Sequence, residues 1–327
     1  MTMTPQQAGW FQGTFNRLVD NVDRALMGKR DVVSLVLASM LAEGHVLLED
    51  APGTGKTSLA KSLAATVQGT SSRIQFTPDL LPSDVTGVTI YDQKTQSFEF
   101  HKGPVFTSIL LADEINRASP KTQSALLEVM EEGRVTVDGV THDVGRPFLV
   151  VATQNPIETA GTYKLPEAQL DRFLIKASIG YPTVDVTERI LLGSAERNPS
   201  SKLTPLITTE AIADMADLGA TVHVDGAVLR YTAELAEATR ADQDTRLGVS
   251  VRGAISMIRL AKVWAGAQGR HYVIPDDIKV LAQPAWAHRL VMDPEAEFSG
   301  VQQSTVIQRV LSEVPAPQNR AQQEPVD

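Results

Sequence analysis

Apolar positions recur at helical spacing from residue 14, with Phe15, Leu18, Val19, Val22 and Leu26 on one face, and again over residues 31–42. Two helices are therefore predicted ahead of the first strand. Residues 45–49 read as a short buried strand, residues 50–55 as a Pro- and Gly-rich turn, and residues 56–67 as a helix. Further buried strands are predicted at residues 105–112, 148–153 and 173–179, with a helix from Pro120 toward Gly133 after the first of these. Alternation of this kind predicts an α/β unit with a mostly parallel sheet covered by helices on both faces.

Two stretches keep a different period. Residues 88–100, and residues 134–144 where Val135, Val137 and Val140 flank Asp138-Gly139, read as hairpins inserted into the α/β unit. After Tyr181-Pro182 the texture is helical throughout, over residues 185–197, 209–218, 225–240, 252–267 and 275–288. The predicted organisation is an N-terminal tail (1–13), an α/β domain (14–181), an all-α domain (182–314) and a flexible Pro/Gln-rich tail (315–327).

An apolar fraction of 43% with 21% charged residues is that of an ordinary folded protein, and the absence of Cys excludes disulfides and thiolate chemistry. The formal net charge of -9 argues against generic nucleic-acid binding. The first residues lack the basic and apolar regions of a secretory signal, and the longest apolar stretch, residues 32–41, is too short to span a bilayer. The cytoplasm is the expected location. His142, His223 and His271 stand singly, without metal-ligand spacing.

The chemistry concentrates in three places. Asp50-Ala51-Pro52-Gly53-Thr54-Gly55-Lys56-Thr57-Ser58 follows a strand and opens a helix, and it matches a phosphate-binding loop except that Asp50 stands where the general pattern has Gly. Its glycines let successive amides face phosphate oxygens at the helix N-terminus, Lys56 reaches the β- and γ-phosphates, and Thr57 offers a hydroxyl to Mg²⁺. Asp113, at the end of the run Ile109-Leu110-Leu111-Ala112, is the expected second Mg²⁺ contact, and Glu114 beside it is placed to polarise the attacking water. Asn155 emerges just past the strand ending at Thr153, beside the expected nucleotide.

Together these segments resemble the AAA+ ATPases, and in particular the MoxR family. The similarity runs through residues 49–57, including the acid at Asp50. It continues through Asp113-Glu114-Ile115-Asn116-Arg117-Ala118, Gln123 to Glu128, Met130-Glu131-Glu132 and Ala152 to Pro156, then Gly161-Thr162-Tyr163, residues 165–173, and Ser250-Val251-Arg252-Gly253-Ala254. The resemblance implies a P-loop NTPase AAA+ core followed by a helical lid, with ATP and Mg²⁺ bound. It implies roles for Asn155 as the sensor that helps hold the attacking water, Arg172 as an arginine finger acting on a neighbouring subunit, Arg252 as a sensor arginine acting in cis, and Gly28 at the entry to the adenine pocket. The inserted hairpins resemble those of the branch that contains MoxR and magnesium-chelatase ATPase subunits. A homo-oligomeric ring, expected to be a hexamer, is further implied, acting as a chaperone beside a protein with a von Willebrand factor type A domain. Two alternatives stay open: the ATPase subunit of a magnesium-chelatase-like complex, and a nucleotide-dependent scaffold with weak turnover.

Overall fold

A computed structural model describes residues 2–155, 162–192 and 203–317. Helices α1 (Pro5–Asp23) and α2 (Arg30–Leu41) lead into β1 (Val46–Glu49), α3 (Lys56–Thr66), β2 (Ser71–Gln75) and α4 (Pro82–Thr86). The hairpin β3 (Gly87–Asp92)/β4 (Ser97–Lys102) follows, then β5 (Ile109–Asp113), α5 (Pro120–Glu132) and the hairpin β6 (Arg134–Val137)/β7 (Val140–Asp143). Strand β8 (Leu149–Gln154), α6 (Glu167–Leu170) and β9 (Ile175–Ala177) complete the α/β part. Its five strands lie in the order β2-β5-β8-β1-β9, with every neighbouring pair parallel.

Both sheet faces are dry, which is why the central strands read as unbroken apolar runs. Alternation still sorts them. Val46, Leu48, Ile109, Leu111, Leu149 and Val151 join one core with α1, α2 and α3, whereas Leu47, Leu110, Ala112, Val150 and Ala152 join another with α5. The edge strand β2, Ser-Ser-Arg-Ile-Gln, buries only Ile74 and carries no apolar run, so the sequence pattern does not announce it. The buried strand predicted at 105–112 is shorter than its apolar run: residues 103–108 form a turn and pairing starts at Ile109.

The helical part comprises α7 (Val184–Leu192), α8 (Thr209–Ala220), α9 (Gly226–Ala241), β10 (Thr245–Leu247), α10 (Val251–Ala267), α11 (Pro275–Trp286), β11 (Val291–Met292), α12 (Pro294–Phe298) and α13 (Gln303–Glu313). It is not purely helical, since β10 and β11 pair antiparallel. The end of the helix predicted to Arg197, and most of the predicted C-terminal tail, lie outside the described residues. No helix among the described residues is long and apolar enough to cross a membrane.

Residues 5–13, expected as tail, are instead the first turns of α1. Thr4 and Gln7 form a reciprocal capping box with Pro5 in the first turn. Ala8 and Phe11 are buried, and Phe11 packs so closely on Gly219 and Gly266 that a Cβ at either glycine would stand 3.2–3.5 Å from its ring. One continuous core thus runs from the sheet through α1 and α2 into the helical domain.

A second junction is polar. Arg289, in the 3₁₀ turn after α11, donates to Asp171 Oδ1 at 2.7 Å, to the Phe173 carbonyl at 2.8 Å and to the Leu174 carbonyl at 3.1 Å. Ser250, the N-cap of α10, donates to the other oxygen of Asp171. These contacts fasten the helical domain to the segment that enters β9, at the N-terminal end of the sheet.

His45, just before β1, is fully enclosed. The Val150 amide donates to its Nδ1 at 3.1 Å, which leaves Nε2 to donate to the Met130 carbonyl at 2.8 Å. Burial pushes its pKa down to about 4; the Met130 bond opposes that shift and Arg259 reinforces it. The native state therefore keeps His45 neutral where the unfolded chain, with an ordinary value near 6.5, takes a proton. Stability is complete above pH 6.5 and falls as pH drops from 6.5 toward 4. By pH 5 this residue alone should cost about 2 kcal/mol relative to pH 7. Urea unfolding at the two pH values checks the loss, and His45→Gln should flatten that dependence.

Candidate nucleotide site

Parallel pairing brings the C-terminal ends of β1, β8 and β5 side by side, and each ends in a segment singled out by sequence. From β1 comes the loop of residues 50–55. Gly53 and Gly55 sit at φ 83° and 101°, backbone that a side chain strains against, and a Cβ at Gly55 would meet Leu26 Cδ1 at 2.7 Å. The first α-helical bond of α3 runs from the Leu59 amide to the Gly55 carbonyl. The amides of Lys56, Thr57 and Ser58 thus have no intrahelical acceptor and form, with the helix dipole, an anion-binding end. Lys56 Nζ rests on the Asp50 carbonyl at 3.2 Å.

From β5 come Asp113 and Glu114. Asp113 is 8% exposed, and its Oδ1 accepts from Thr153 Oγ1 at 2.7 Å. Its Oδ2 accepts from Arg73 Nη2 at 2.6 Å and Nε at 3.1 Å. Glu114 sits at φ 56°, a left-handed conformation costly for a residue with a Cβ, and its amide donates to Thr153 Oγ1 at 2.9 Å. Its Oε2 accepts from Gln75 at 2.8 Å and from Arg117 at 2.9 Å. Behind it, Gln123 is buried and donates to the carbonyls of Ile115 and Ala118, fixing the turn that follows. From β8 comes Asn155, 8% exposed, one residue after Gln154, whose carbonyl accepts from the Asp50 amide. Pro156 and Gly161 lie outside the described residues.

Gly28 lies on the flank of this group. It takes φ 74°, with Val186 Cγ2 2.9 Å from where its Cβ would be. Lys29 reaches the Tyr181 carbonyl at 2.8 Å. The 24–29 turn therefore gathers Leu26, Gly55 and the residues that open the helical domain.

Asp50 differs from its expected role as a lining residue of the phosphate cradle. Its carboxylate is 4% exposed and turned to the sheet edge, where it accepts from Ile179 N at 2.7 Å, Ser178 Oγ at 2.8 Å and Gly180 N at 2.9 Å. It anchors the loop to the segment leaving β9. Three charge-assisted bonds offset the burial of its charge.

The two arginines lie elsewhere. Arg172 precedes β9, at the sheet end opposite the phosphate loop, and pairs through Nε with Glu131 Oε2 at 3.2 Å. Arg252 pairs with the other oxygen of Glu131. A cavity of about 420 Å³ opens beside them, lined also by Glu43, Arg146, Asp171 and Arg259. The structure does not bring Arg252 to the phosphate loop of its own chain, as a role in cis would have it: docking of the helical domain on residues 171–174 puts it beside Arg172 on the Glu131 carboxylate.

Sequence reasoning missed Arg73, Gln75 and Thr153 as site residues. The signals were there. Thr153 is a hydroxyl closing an otherwise apolar buried strand, and Arg73 and Gln75 share one face of β2 by the two-residue period.

Comparison with known proteins bears on this geometry. Residues 45–175 match the model described as ATPase family associated with various cellular activities (AAA), and residues 237–310 match an AAA lid domain. Chaperone MoxR1 of Mycobacterium tuberculosis is 40% identical over 317 residues, covering 94% of this chain and 84% of that protein. YeaC of Bacillus subtilis is 48% identical over 305 residues, covering 93% of this chain and 95% of that one. A crystal structure from Cytophaga hutchinsonii at 2.00 Å resolution matches with a TM-score of 0.89 and 35% identity, covering 96% of this chain and 98% of that one.

Asp50→Gly restores the general phosphate-loop pattern yet deprives the buried Ile179 amide, the half-buried Gly180 amide and the Ser178 hydroxyl of their acceptor. It should cost about 3 kcal/mol of stability and bring no gain in nucleotide affinity. Chemical denaturation and titration with a fluorescent nucleotide check this; a variant as stable as the wild type would refute the anchoring role.

Proposed function

The chain belongs to the MoxR family of AAA+ ATPases, and from that premise we propose that it hydrolyses Mg²⁺·ATP in a ring whose sites are completed between subunits. The family's members are chaperone-like ATPases that act on partner proteins, and hydrolysis here would drive such remodelling. The observation that carries the reading is the convergence of three strand ends, joined by the Thr153 hydroxyl to both Asp113 and Glu114 and by the Asp50 amide to Gln154.

The loop amides and Lys56 would bind the phosphates, with Lys56 leaving the Asp50 carbonyl for the β- and γ-phosphates. The hydroxyl of Thr57 and the carboxylate of Asp113 are hard oxygen donors on facing segments, a donor set suited to Mg²⁺ when phosphate oxygens and water complete it. Bound Mg²⁺ would neutralise charge on the phosphates. Glu114, held by its strained backbone and by Gln75, would accept a proton from the attacking water, and Asn155 would orient that water.

Position at the far end of the sheet supports a role for Arg172 in a neighbour's site. Its guanidinium, about a third exposed, is tethered by an ion pair from which it can be drawn, and its planar fork matches phosphoryl oxygens as charge develops. Arg252, held by the same carboxylate, belongs to the same face and so to the same neighbouring site.

Glu114→Gln keeps size and hydrogen bonding while removing the base. It should bind ATP as the wild type does and turn over at least about 10²-fold more slowly; unchanged turnover in a steady-state phosphate-release assay would remove Glu114 from this role. Arg172→Ala should lose about 10³-fold in rate. Mixing it with Lys56→Ala subunits, which keep the arginine but lack the phosphate lysine, should restore part of the activity. Failure of the mixture, with turnover independent of protein concentration, would reject the contribution between subunits.

A further inference from the structure

The Arg73 contact is unusual for a carboxylate expected to meet a divalent cation. Asp113 is nearly buried, and its charge is compensated by one hydroxyl and one guanidinium. Arg73 reaches it diagonally across the edge of the sheet: β2 and β5 pair in parallel with Arg73 registered against Leu111 and Gln75 against Asp113. Both donors of the guanidinium, Nε and Nη2, fall on the same oxygen, Oδ2. The Arg73 side chain is 52% exposed, against 11% for that of Asp113. The arginine therefore has solvent to move into, and Gln75 Oε1, 3.2 Å from Nη2, offers it a second partner.

A guanidinium and a divalent cation drawn to one carboxylate repel each other at close range, and solvent on the arginine side screens that repulsion only in part. We propose that Arg73 is the resident counter-ion of Asp113 in the nucleotide-free subunit and competes with Mg²⁺ for it. Loading of Mg²⁺·nucleotide then requires the β2–β5 ion pair to open. Arg73 sets the Mg²⁺ concentration at which the site fills and spares the empty subunit a buried, uncompensated carboxylate, which is costly. This rests on the nucleotide-site reading above, and it makes Arg73 a positioning residue, acting on the Mg²⁺ ligand and not on the phosphates.

The test is Mg²⁺ titration of the full chain holding a fluorescent ADP analogue, read by anisotropy without turnover. Arg73→Met, which keeps an unbranched apolar stem and removes the charged head, should lower the half-saturating Mg²⁺ concentration about fivefold, the size of an exposed ion pair. Arg73→Lys, which keeps the charge, should stay near the wild type. Thermal melting gives an independent reading: Arg73→Met should melt lower than the wild type without Mg²⁺ and gain more from Mg²⁺·ADP. Arg73→Gln serves in the same assays if the methionine variant folds poorly. An Arg73→Met or Arg73→Gln half-saturation equal to or above that of the wild type overturns the competition, provided wild-type binding depends on Mg²⁺ and is abolished by Lys56→Ala. Wild-type binding that ignores Mg²⁺, or survives Lys56→Ala, overturns the nucleotide-site reading and the competition with it.

Discussion

The parallel pairing of β8 between β5 and β1 is the constraint on which the nucleotide end of the molecule depends. It sets three strand ends side by side, so that loops far apart in sequence open into one crevice at the carboxyl edge of the sheet. Thr153 turns that proximity into a joint. Its single buried hydroxyl donates to Asp113 and accepts from the Glu114 amide, so the two acids cannot shift independently of β8 or of Asn155 two residues on. In so dry a place an unpaired hydroxyl would be costly, and this one is used both ways.

The opposite end of the sheet is built on different principles. There the helical domain is seated by Arg289 on Asp171 and on the carbonyls that enter β9, while α1 carries the apolar core across from one domain to the other. Glu131, in the last turn of α5, gathers Arg172 and Arg252 onto one carboxylate. Because α5 starts just past the acids and carries Glu131 in its last turn, a single helix links the two ends of the α/β domain. The glycine-rich loop and the acids thus stand at one end of the α/β domain and the two arginines at the other.

How legible each part was follows from where its physics resides. The phosphate loop and the Asp113-Glu114 pair were readable because glycine turns, a helix start and a buried strand end are local events. The Asp138-Gly139 hairpin was readable for the same reason, and both residues take the positive φ that such a turn requires. Strand β2 was not, since an edge strand can be polar and still pair, and with it Arg73 and Gln75 went unseen. The first turns of α1 were missed because Gln and Gly dilute their apolar period, although Thr4, Pro5 and Gln7 spell a helix start.

By itself the sequence determined most strands of the parallel sheet and the helices between them, the glycine-rich loop after β1, the two acids at the end of β5 and the arginines available to act on charge. Those properties depend on neighbours a few residues away, where propensity and spacing decide. Tertiary structure alone decided that Asp50 turns its carboxylate to residues 178–180, that Arg73 lies on Asp113, and that Arg252 joins Arg172 and not its own phosphate loop. Each of these joins groups separated by 40 or more residues, so the partner is chosen by sheet order and domain docking, neither of which leaves a periodic trace along the chain.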